Sequence, residues 1–120
     1  MLKKKSDIIG NVHENFKGGE GNVTSFHFMT EQEVLGAGRV FAKFSIQPGC
    51  SVGYHKHDGD SEVYYILKGK GLISDDGTDV VVEAGDAQFC PDGHCHSIKN
   101  IGEDTLEYIA IILYTKQKAV

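Results

Sequence analysis

Four of the chain's six histidines fall in two short segments, His55-Lys56-His57 and His94-Cys95-His96, and the carboxylate of Glu62 follows the first pair. On an extended strand, side chains at i and i+2 share a face, so His55 and His57 can converge on one point. Glu62 begins the next strand, after a loop containing Asp58, Gly59 and Asp60, and can return to that point from across a barrel. His96 supplies a fourth group from a distant strand. Imidazole nitrogens joined by one carboxylate suit one divalent transition metal, whether Fe, Mn, Ni, Cu or Zn. A lone His-x-His is more often surface decoration, so the surroundings decide.

The elements that must position these groups read as strands. Residues 39–47 place Val40, Ala42, Phe44 and Ile46 on one face, the period of a strand with one buried side, and Pro48-Gly49 ends it. On the same alternation Arg39, the chain's only arginine, points outward. Residues 62–67 are β-branched and aromatic, closed by Gly69 and Gly71. Leu72–Ser74 and Val80–Val82 flank Asp75-Asp76-Gly77-Thr78, where Asp-Gly signals a hairpin. Short strands follow at about 86–90, 95–99 and 106–114, and Glu31–Leu35 suggests one helical turn. Fifteen glycines against two prolines punctuate these segments, which indicates an all-β sandwich or barrel. Residues 39–116 read as a single barrel domain. Residues 1–38 lack clear periodicity and read as a strand-poor N-terminal arm at a sheet edge or dimer contact, where Val23, Phe26 and Phe28 would be stranded on a monomer.

Composition narrows the role. At 120 residues, 40% hydrophobic and 24% charged, the chain is one globular domain. A net charge of −5 argues against coating nucleic acid or an anionic membrane. Lys3–Lys5 precede no apolar stretch of a secretory signal, and no window reaches the roughly 18 apolar residues of a membrane span. Cys50, Cys90 and Cys95 are odd in number without zinc-ribbon spacing, which reads as free thiols in a cytoplasmic protein.

Two longer patterns enclose the histidines. Gly49, five residues, His55-x-His57, four residues, Glu62, six residues and Gly69 form the first; Gly85, five residues, Pro91-x-Gly93, two residues, His96, three residues and Asn100 form the second. Together they resemble the two signature motifs of the cupin superfamily at every fixed position. The resemblance implies a double-stranded β-helix, a small jelly-roll barrel with one metal inside, held by His55, His57, Glu62 and His96. It also implies turn roles for the motif glycines, Pro91 and Asn100, and a homodimer.

The superfamily spans many reactions, so the resemblance leaves the chemistry open. Oxalate decarboxylases carry an arginine three residues before the first motif histidine; Val52 stands there. With Arg39 facing away, oxalate decarboxylation is not the expected reaction. Tyr64, two residues after Glu62, should point into the barrel beside the metal, where a phenol could act as a general base or serve as a hydrogen-bonded core residue. Gln88 and His94 are candidates for the substrate pocket. Two functions follow. One is a metal-dependent enzyme, of isomerase, lyase, decarboxylase or dioxygenase type, acting on a small polar oxygen-bearing metabolite. The other is a non-catalytic module that binds a sugar or small carboxylate. The absence of a helix-turn-helix pattern and the intact ligand set favour the enzyme.

Overall fold

The structure, a computed structural model, describes residues 1–116. The alternating faces of the sequence become the inner faces of two antiparallel sheets. Among the described residues there are ten strands: β1 (Gly10–Glu14), β2 (Asn22–His27), β3 (Gly38–Ile46), β4 (Ser51–Lys56), β5 (Asp60–Lys68), β6 (Lys70–Asp75), β7 (Thr78–Glu83), β8 (Ala87–Cys90), β9 (Cys95–Asn100) and β10 (Leu106–Tyr114). One sheet runs β1-β2-β3-β10-β5-β8 and the other β4-β9-β6-β7. This is the double-stranded β-helix, a jelly roll.

Between the sheets, Ala42, Phe44 and Ile46 from β3 meet Tyr64 and Ile66 from β5, Ile73 from β6, Ile98 from β9, and Leu106, Tyr108 and Ala110 from β10. Each large apolar side chain buried there contributes about 1.5–3 kcal/mol over leaving it in water. The Asp-Gly signal is a tight turn between β6 and β7, with φ +52° at Asp76 and +96° at Gly77, both in the region a type I′ turn requires.

Two regions depart from the sequence reading. Residues 1–38 are not strand-poor. β1 pairs with β2, and β2 pairs with β3, so this segment forms the edge of the six-stranded sheet. Val23 is fully buried in its own chain's core and is not stranded. The alternation was hard to see because β1 is exposed on nearly every residue and so carries no apolar face. The second departure is at the start of β3. Val40 pairs with Ile112 and Gly38 with the adjacent Leu113, which leaves Arg39 as the extra residue of a β-bulge. A bulge breaks the period of two and re-aims one side chain. Arg39 therefore does not follow the outward rule.

No helix of the described residues is long and apolar enough to cross a membrane.

Candidate metal centre

Strand pairing assembles the site from both sheets. His55 on β4 lies directly opposite His96 on β9, and His57 follows the end of β4, its backbone paired with residues 93 and 94. Glu62 comes from β5 in the other sheet. One ligating atom from each of these four side chains lies within 4.8 Å of every other. Glu62 Oε1 is 2.8 Å from His96 Nε2, 3.2 Å from His57 Nε2 and 3.7 Å from His55 Nε2, while the Nε2 atoms of His57 and His96 are 3.1 Å apart.

The outward nitrogens explain this crowding. His57 Nδ1 is 2.7 Å from Asp60 Oδ1, His55 Nδ1 is 2.7 Å from the Gly53 carbonyl, and His96 Nδ1 is 2.9 Å from Gln88 Oε1. Gln88 Nε2 donates to Asp75 Oδ1, which fixes the amide with its oxygen toward His96. All three partners are acceptors, so each Nδ1 donates outward and Nε2 is the nitrogen turned inward, where without a metal the protons on that edge are shared with Glu62. With those inner protons released, three lone pairs and a carboxylate face one point, with His57, His96 and Glu62 buried. That donor set fits a divalent transition metal, and the Nδ1 contacts are the outer supports such ligands need.

Electrostatics agree. Burial alone would raise the Glu62 pKa, but the three histidine rings around it, two of them within hydrogen-bond distance, hold it well below the ordinary carboxylate range. Burial opposes charge on His57, yet hydrogen bonds to Glu62 and Asp60 outweigh it and raise its pKa. His96 is lowered, chiefly by burial.

His55, His57 and Glu62 line a cavity of about 220 Å³, room for roughly seven waters at their liquid volume, with His96 buried behind them. Its apolar wall includes Val40, Phe44, Val52 and Ile112, with Tyr64 and Tyr108 deeper in. Tyr64 stacks on His96 at 4.6 Å between ring centres, as its place two residues after Glu62 suggested. Burial, with Glu62 and Tyr108 beside it, keeps its pKa well above the ordinary value.

The two expected pocket residues lie elsewhere. Gln88 holds the far side of His96 and does not line the cavity, because β8 presents it to the back of that ring. His94 is half exposed and pairs with Asp76 at the β6–β7 turn, since it precedes β9 and turns away from the barrel. Arg39 and Lys17, in contrast, line the cavity. The expectation that Arg39 faces away is thus corrected: its side chain, still partly exposed, lines the cavity.

Sequence reasoning also passed over Asp60 and Gly53. Asp60 begins β5 on the face of Glu62 and Tyr64, so the period-two rule pointed to it; it is buried, with Oδ1 on His57 and Oδ2 2.7 Å from Arg39 Nε. Gly53 and Gly19 meet backbone to backbone: a Cβ on Gly53 would lie 2.1 Å from the Lys17 carbonyl, and one on Gly19 2.2 Å from the Ser51 carbonyl. The Gly-rich segment 18–21 is therefore a packed strap over β4, with Ser51 N donating to the Glu20 carbonyl.

Comparison with known proteins agrees with this geometry. Residues 42–112 match the model of the Cupin domain family. The chain is 41% identical over 113 residues to a Thermotoga maritima protein named oxalate-binding protein, covering 94% of this chain and 93% of that one. It is 34% identical over 74 residues to an uncharacterized protein of Methanocaldococcus jannaschii, covering 62% and 59% of the two chains. A crystal structure from Thermotoga maritima, described as a predicted oxalate decarboxylase, superposes with a TM-score of 0.91 at 40% identity over 95% of this chain and 99% of that one.

Proposed function

This chain belongs to the Cupin domain family, and on that premise we propose that it is a metal-dependent binding protein for a small oxygen-chelating carboxylate such as oxalate. The observation that carries the reading is the convergence of three histidine Nε2 atoms and Glu62 Oε1 beside a cavity of about 220 Å³, which His55, His57 and Glu62 line. His55, His57, Glu62 and His96 would hold the ion. A divalent metal bound there supplies a Lewis acid for ligand oxygens. The residues around it supply an apolar wall and a cation, Arg39, in the lining of the same cavity. The name of the Thermotoga relative supports a carboxylate ligand.

A second reading, an enzyme on the same class of metabolite, draws support from one feature: Tyr64 lines the cavity and stacks on a metal-ligating histidine. As a protonated phenol it would donate a hydrogen bond or proton to a bound ligand.

Calorimetric titration of oxalate into Mn(II)-loaded and chelator-stripped protein tests the binding reading. Saturable one-to-one binding only in the loaded protein, with oxalate recovered intact, is the expected result. Equal binding without metal contradicts it, and steady loss of oxalate moves the account to the enzyme.

A further inference from the structure

The cavity carries two cations that reach it by departures from regular backbone. Arg39 is the extra residue of the β3–β10 bulge. Lys17 lies in the turn that leads into the strap, where Asn15, Lys17 and Gly18 all adopt positive φ (+50°, +55° and +80°). Two departures from regular backbone, a bulge in β3 and a turn between β1 and β2, bring positive side chains to one cavity. Non-glycine residues in the left-handed region are held there at a cost, a pattern found at functional sites.

The charges that face the opening are unevenly matched. Arg39 gives Nε to Asp60 Oδ2, and Asp60 spends its other oxygen on His57. Guanidinium carries five N–H donors in a fixed fork, and no other hydrogen bond of Arg39 is found among the described residues. Lys17 has no ion-pair partner among the described residues; its ammonium lies 5.5 Å over the Phe16 ring, which also lines the cavity. With a divalent ion in place, Glu62 cancels one charge and Asp60 offsets Arg39, so Lys17 and the ion leave about two positive charges toward the opening. That balance matches a dianion.

We propose that Arg39, with Lys17 at the rim, is the specificity element of the site, selecting small dicarboxylate dianions over monocarboxylates that chelate a metal equally well. The terminal guanidinium nitrogens of Arg39 would face the ligand oxygens turned away from the metal. This rests on the reading of the site as a metal-centred carboxylate binder.

The test titrates oxalate and glycolate, a dianion and a chelating monoanion, into Mn(II)-loaded protein and three loaded variants, with metal content measured in each. In the native chain oxalate binds more tightly. Arg39→Gln lowers the oxalate-to-glycolate affinity ratio about tenfold or more, the scale of a lost charge-assisted hydrogen bond. Arg39→Lys, which keeps a charge beside Asp60, lowers it less, and the exposed Lys17→Gln lowers it roughly threefold. If Arg39→Gln loses its metal, the other two variants decide. An unchanged ratio in metal-replete Arg39→Lys and Lys17→Gln overturns the proposal while oxalate binding stands. Failure of the loaded native chain to bind either anion overturns the functional reading and this proposal with it.

Discussion

Asp60 Oδ1 lies 2.7 Å from His57 Nδ1, and this contact decides which edge of the His57 ring faces the centre of the site. The carboxylate accepts the Nδ1 proton, so Nε2 is left as the donor to a metal. Asp60→Asn keeps the volume but removes the charge that makes the imidazole more basic. It should weaken metal affinity about tenfold to a hundredfold, measured by competition with a chromogenic chelator. Unchanged affinity would mean that the contact only packs the strand.

Metal binding should also depend on acidity in a defined direction. His57 is raised above its ordinary value of 6.5 because its bonds to Glu62 and Asp60 outweigh burial. The stability it lends the metal-free chain is full below about pH 6.5 and is lost as pH rises through the folded-state pKa. Glu62 is lowered, so its contribution is present above its ordinary value of 4.5 and is lost as pH falls. A metal must displace the His57 proton, so the rise in Tm on adding metal should be larger at about pH 8 than at about pH 5.5. Equal rises would contradict the assignment.

Cys90 offers a test of the inner wall. It is buried opposite Glu62 on the neighbouring strand, and burial pushes its thiol up to about 12, with Glu62 adding to the effect. The thiolate is therefore scarce at any ordinary pH, and alkylation of the native protein at about pH 8 should spare Cys90 while labelling the partly exposed Cys50 and Cys95. Peptide mapping that found Cys90 modified first would refute this.

Asn100, assigned to a turn, closes one end of the barrel. Its Nδ2 donates to the carbonyls of Ile46 and Asp104, each at 2.8 Å, and its Oδ1 accepts from Gly102 N at 2.9 Å. Asn100→Ala leaves the buried Ile46 carbonyl without this donor and should lower unfolding free energy by about 2–3 kcal/mol in denaturant melts. A loss under about 0.5 kcal/mol would show that water replaces these bonds.

The His/Glu cluster was legible because its recognition needs only strand periodicity and fixed spacing: His55 and His57 share a face, and Glu62 returns on the next strand. The supports were harder. Gln88 and His94 were expected to face into the barrel, and the structure places one behind His96 and the other at an exposed turn. Asp60 was within reach of the period-two rule through Glu62 and Tyr64. Arg39 was not, because a bulge depends on the partner strand β10, whose register no local pattern reveals. β1 escaped for a related reason: an edge strand exposed on both faces has no hydrophobic alternation to read.

The central claim is that His55, His57, Glu62 and His96 hold one metal ion. Elemental analysis of protein purified without added metal, beside His57→Ala and Glu62→Gln variants purified in parallel, tests it most directly. The account predicts about one transition-metal ion per native chain and a large loss of metal from both variants, each still folded by circular dichroism. Full occupancy in either folded variant would contradict it.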